Sequence, residues 1–190
     1  MDVLSRRRRT MGLALALAAL LLGVLPSPEA MAQPATATEQ EVKALYLFNF
    51  AKFVDWPEDI FRSPSDPLRI CVFGEDPFGR TLDAVIQGEQ VKGHNLAAAR
   101  PERIQDLRSC HILFVSRSER GRAREILASV RGENVLTVGE GEEFLEKGGM
   151  IAFVRQATKV RFYIDKRAAE QAPFKISSRL MALGDRRGNG

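Results

Sequence analysis

The chain has 190 residues, with 28 lysines and arginines against 24 aspartates and glutamates, two histidines and two cysteines. Arg6, Arg7, Arg8 and Arg9 stand in the first 32 positions beside Asp2 and Glu29, so the following 158 residues carry 24 basic and 22 acidic side chains. That near balance excludes the strongly basic face of a nucleic-acid binder, and two histidines without any Cys-x-x-Cys spacing exclude a zinc-type ligand set.

The four arginines precede an uncharged apolar run of 15 residues, Met11 to Leu25, and the segment closes on Ala30-Met31-Ala32 before Gln33. A positive start, a short apolar middle and a small-x-small end describe a secretory signal peptide over 1–32, cleaved between Ala32 and Gln33. The run is shorter than the ~20 residues of a membrane span, although a retained anchor is the alternative. Residues 33–38, rich in Ala, Thr and Pro, read as a flexible leader. The remainder is the size of one domain, 39–184, followed by a disordered basic tail, 185–190.

Thr38 ahead of Glu39, Gln40 and Glu41 signals a helix start, and the helix is expected to run to about Asp55, before Pro57. An apolar strand follows at 68–74 (LRICVFG), and Asp76-Pro77 opens a helix to about Gln87. Further strands are expected at 95–98, 111–116 (HILFVS) and 135–138, with helices between them at 101–107 and 118–130. A short helix at 141–147 ends at Gly148-Gly149. Residues 150–155 and 159–164 form a strand pair, and two short helices capped by Asp165 and Ser177 lead to a stop at Gly184. Strands alternating with helices predict a single α/β domain with a mostly parallel sheet, helices on both faces and a C-terminal antiparallel strand pair.

Cys71 and Cys110 both lie beside apolar strands, so after export they are candidates for a disulfide, with two buried free thiols as the alternative. Tyr46, Phe48, Phe50, Phe53 and Trp56 place five of the fourteen aromatics within eleven residues. With Val42, Leu45, Leu47 and Val54 they exceed the ~100° stripe that one core contact needs. Either a second layer covers the excess, or it is a strip that docks a partner or a second copy.

Signals for chemistry are weak. Gly139-x-Gly141 follows a strand, but Phe144 occupies the third glycine position of a dinucleotide fingerprint. Ser116 precedes Arg117 without a Gly-x-Ser-x-Gly turn. His94 reads as a surface turn residue and His111 as a strand start, and Glu142 with Glu143 or Glu58 with Asp59 read as solvated acids. Neither catalytic residues, a cofactor nor a metal is expected.

Five blocks, KALYLFNFAKFVDWP, LRICVFG, SCHILFVS, LTVGEGEEFLEKGGMIAFV and KVRFYID with FKISSRLMALG, resemble in their order the YfiR family of periplasmic regulators. The resemblance implies a periplasmic protein that binds the sensory region of an inner-membrane diguanylate cyclase, or a sensor kinase, and holds it inactive. Cyclic di-GMP and biofilm formation then fall. It also implies homodimers and a structural disulfide, mapping here onto Cys71 and Cys110, without the second cysteine pair of some relatives. Asp165 stands where the family usually has asparagine, and either side chain can cap a helix. A periplasmic small-ligand carrier or sensor subunit is the competing function, because sheets of this type offer a crevice at their carboxyl edge.

Overall fold

The computed structural model describes residues 37–184. The expected signal peptide, its cleavage site at Ala32 and Gln33, the first part of the leader and the 185–190 tail lie outside the described residues.

The first helix, α1 (Glu39–Phe53), starts where the acid-rich opening places it. The Thr38 hydroxyl accepts from the Glu41 N–H at 3.2 Å while the Glu41 carboxylate accepts from the Thr38 N–H at 2.6 Å, which satisfies two amides that the first turn leaves unpaired. The helix ends two residues earlier than expected. Val54 is extended (φ −105°, ψ 132°), and β1 (Val54–Asp55) pairs antiparallel with β9 (Lys175–Ile176). A β-branched residue close to the proline at 57 favours that extended exit. This small ribbon was not expected, since neither two-residue strand carries a period.

Strands β2 (Leu68–Phe73), β3 (Gln90–Val91), β4 (His94–Ala99), β5 (Ile112–Val115), β6 (Leu136–Glu140), β7 (Ile151–Gln156) and β8 (Lys159–Ile164) form one sheet in the order β3-β4-β2-β5-β6-β7-β8. Its five central strands are parallel, and β3 and β8 pair antiparallel at the two edges. The fold class therefore matches the one read from the sequence, including the closing β7–β8 hairpin.

Period-two alternation explains how one run of apolar residues serves both faces. Leu68, Ile70 and Val72 of β2 and Ile112 and Phe114 of β5 point to one face, with Leu47 and Phe50 of α1, Leu82 and Ile86 of α2 (Arg80–Ile86) and Leu180 of α6 (Ser178–Leu183). Cys71, Phe73, Leu113 and Val115 point to the other, with Ile126 and Leu127 of α3 (Ala123–Ser129) and Phe144 and Leu145 of α4 (Glu142–Glu146). Both C-terminal caps are present: Asp165 accepts from the Ala168 N–H to open α5 (Lys166–Glu170), and Ser177 accepts from the Leu180 N–H to open α6.

Several expected helices are shorter or tighter than their sequence pattern. The segment after Asp76 turns first, with the Asp76 carboxylate accepting from the Phe78 N–H at 2.7 Å, and becomes helical at Arg80. Residues Ile104–Ser109 and Arg117–Arg122 are 3-10 turns. Ile104–Ser109 buries the single anchor Leu107 and Arg117–Arg122 buries no side chain, so little packing is available to extend either into a longer helix.

The glycines around α4 have a packing role that a fingerprint reading misses. A Cβ at Gly139 would lie 2.5 Å from the Phe144 ring, and one at Gly149 would fall into the other side of the same ring. Phe144 thus fills the space two absent side chains leave. Gly149→Ala is expected to destabilise by about 1–3 kcal/mol through overpacking, with part of the loss recovered when Phe144→Leu is added. Urea unfolding of the two singles and the double checks this, and strict additivity of the losses would contradict it.

Candidate functional site

The two cysteines form a disulfide, Cys71 to Cys110, with 5.8 Å between Cα atoms. Adjacency of β2 and β5 brings them together: Cys71 lies within β2, Cys110 stands two residues before β5, and the register sets Ile70 against Ile112. Both are 2 % exposed or less, on the face covered by α3.

His111, next in the chain, extends the same clasp. Its backbone N–H donates to the Arg69 carbonyl at 3.0 Å, and its Nδ1 accepts from the Arg69 N–H at 3.0 Å. Burial pushes its pKa down to about 4, helped by the positive Arg69 and by His94 and opposed by Asp66. The chain's two histidines flank one ring: Phe61 stacks on His94 at 3.6 Å and on His111 at 5.0 Å between centroids. The Trp56 ring meets His111 edge-on at 5.8 Å and Phe174 at 5.0 Å, and its Nε1–H donates to the Ala51 carbonyl. The end of α1, the 57–67 loop and the strand openings thus share one aromatic joint. Sequence reasoning passed over Phe61, and a lone aromatic in a Pro/Ser-rich loop was the available signal.

The five aromatics of α1 and its exit do not make one exposed strip. Phe50 and Trp56 are in the core. Tyr46 is half-buried against Phe50, Phe153 and Phe162. Phe48 and Phe53 are half-buried too, and each is met by a cation, Lys52 at 4.9 Å and Arg179 at 5.5 Å. What protrudes is aliphatic: Leu45 on α1 is 46 % exposed and Leu183 on α6 is 60 % exposed, on two helices that pack together.

At the carboxyl ends of the parallel strands lies a matched set of charges. The nearly buried Lys43 ammonium donates to Glu140 at 2.7 Å and pairs with Glu39 at 2.7 Å, so both acids compensate its desolvation. The hydrogen bond from Lys43 lowers the pKa of Glu39. Arg117 approaches Glu140 at 3.6 Å and Arg120 approaches Glu143 at 3.9 Å. The crevice expected at the switch between β2 and β5 is filled: the Ser118 hydroxyl accepts from the Glu75 N–H at 2.9 Å, and Ser118 and Glu119 lie close over Gly74. The cavity remaining beside Arg117 and Phe144 measures about 20 Å³, room for about one water. Ser116 follows β5 while His111 precedes it, so a serine–histidine pair has the strand's length between its members. Among the described residues, no group of three or more His, Cys, Asp or Glu is placed to hold a metal ion.

A family model described as YfiR/HmsC-like matches residues 40–185. The chain belongs to the YfiR/HmsC-like family. This is a regulatory and periplasmic family, and no helix among the described residues is long and apolar enough to cross a membrane. A solved structure of a conserved domain protein from Vibrio cholerae O1 biovar eltor is similar, with a TM-score of 0.54 and 12% identity. The similarity covers 80% of this chain and 61% of that one, which bears on fold alone. No curated protein matches the chain. In this YfiR/HmsC-like protein two central strands are locked by the disulfide, charges are matched at the carboxyl ends of the strands, and aliphatic side chains protrude from the outer helices.

Proposed function

We propose that this protein represses an inner-membrane diguanylate cyclase by binding its periplasmic region, which lowers cyclic di-GMP and biofilm formation. The observation that carries the reading is the YfiR/HmsC-like match across 40–185. The protein reaches the periplasm through its N-terminal signal, self-associates into dimers, and uses α1 and α6 as the docking face. Protruding leucines beside half-buried aromatics supply the apolar centre that an interface needs.

Repression of this kind requires a preference for one conformation of the target. A hundredfold change in cyclase output corresponds to about 2.7 kcal/mol of differential affinity. The test titrates the mature protein into full-length candidate cyclases in membranes while cyclic di-GMP synthesis is followed. Activity is expected to fall on titration, and Leu45→Asp is expected to weaken inhibition at least tenfold with the fold intact, since it places a charge in a desolvated contact. Unchanged synthesis across the cyclases whose deletion alters biofilm in the same cells would overturn the proposal. Inhibition that Leu45→Asp leaves untouched would overturn the docking face alone.

A further inference from the structure

We propose that the cavity at the amino-terminal ends of β6 and β7 binds a small apolar carboxylic acid in its anionic form. The cavity measures about 360 Å³, within the roughly 300–1,000 Å³ of small-molecule sites. It lies at the end of the sheet opposite the filled switch-point crevice.

Three layers of its lining point to that ligand. The walls are mixed: Leu127 and Val130 at the end of α3, Met150 ahead of β7, and Ala172 and Pro173 after α5 supply the apolar part, beside the exposed Gln171. Thr137 of β6 also lines it and is 3 % exposed. The Thr137 hydroxyl accepts from the Met150 N–H at 3.0 Å, which leaves its own proton to donate. Arg131 and Arg167 line the cavity with exposed side chains, and neither has an ion partner or a side-chain hydrogen bond to another described residue.

The charge balance of the lining decides the sign of the ligand. Two acids share it: Glu133 is paired with Arg108 at 3.5 Å, and Asp165 keeps its charge while one oxygen accepts from the Ala168 N–H as the cap of α5, so Arg131 and Arg167 leave one positive charge in excess. Two uncommitted guanidiniums remain, each a planar fork that fits a carboxylate with two parallel hydrogen bonds. The contrast with the other end of the sheet is informative, because Arg117 and Arg120 there already face Glu140 and Glu143. An apolar body against Leu127 and Val130 with its carboxylate toward the arginines satisfies both halves of the site. The inference concerns the domain by itself and does not depend on the proposed cyclase.

The test is calorimetry and NMR titration of the mature protein with benzoate, 3-phenylpropionate and octanoate, each beside its primary amide. At least one acid is expected to bind, with its amide at least tenfold weaker. Arg131→Ala and Arg167→Ala, at exposed positions, should each weaken the acid about fivefold or more, and Ala168→Leu, which narrows the cavity, should abolish binding. Shifts should centre on the Leu127, Val130 and Met150 methyls. Equal binding of acid and amide, unchanged affinity in both arginine variants, shifts centred on α1, or no binding by any of the three acids would each overturn the proposal.

Discussion

Replacing Cys71 and Cys110 together by alanine is expected to lower the unfolding free energy by about 4 kcal/mol. The bridge closes a loop across a sequence separation of 39 residues, and chain entropy assigns about that value to a loop of this size. A domain of this length is stable by only ~5–15 kcal/mol, so a large fraction is at stake. The place of the bridge adds to the expectation. It ties β2 to β5 in the middle of the sheet, and Cys71, at 1 % exposure, lies between the two strands that β2 pairs. The serine pair should be less stable than the alanine pair by a further ~1–3 kcal/mol, because it buries hydroxyls where no partner has been provided. Urea unfolding reads both effects, and the m-value should rise as the unfolded chain expands. A loss below ~1 kcal/mol with unchanged m would show that the bridge adds little to a sheet already held by packing. Under the proposed function, reduction of the bridge weakens repression to the extent that the loss of about 4 kcal/mol raises the unfolded fraction of the repressor. A folded, fully repressing alanine pair would separate the bridge from that function.

The sequence made some of this plain and hid the rest, for physical reasons. Strands β2 and β5 were legible because a parallel strand is apolar wherever both faces are covered, as in ICVF after the exposed Arg69 and in ILFV. Caps at Thr38, Asp165 and Ser177 were legible because capping is a local bond between near neighbours. The β1–β9 ribbon was not, since Val54 and Ile176 are far apart in the chain and two residues carry no period. The excess of aromatics on α1 was visible, but its destination depends on long-range partners. Phe153 and Phe162 of the closing hairpin cover Tyr46 and Phe50, while Lys52 and Arg179 meet the rings at the rim. The stack of His94, Phe61 and His111 and the glycine gap around Phe144 were hidden in the same way. Each joins residues tens of positions apart or gives a familiar spacing an unfamiliar use.

That histidine stack predicts how the fold responds to acid. The folded His111 has its pKa pushed down to about 4 from an ordinary 6.5, chiefly by burial, with Arg69 and His94 adding repulsion and Asp66 opposing. Between these two values the unfolded chain binds a proton that the folded chain refuses, so stability falls as pH drops. The contribution is fully present above about pH 6.5 and is lost progressively down to about pH 4, to a total of about 3 kcal/mol. Geometry gives the reason: a proton on Nδ1 removes the acceptor for the Arg69 N–H and places a charge against Phe61 and Trp56. His111→Asn keeps an acceptor near that position without a titrating group. It should be less stable than the parent at pH 7, where packing against Phe61 is lost, and should lose less as the pH falls. Urea unfolding of both proteins at pH 7, 6, 5 and 4.5 measures the difference of slopes, from which the carboxylates common to both cancel. Parallel profiles would mean that His111 protonates as readily in the fold as outside it, and the clasp with Arg69 would then have no part in acid sensitivity.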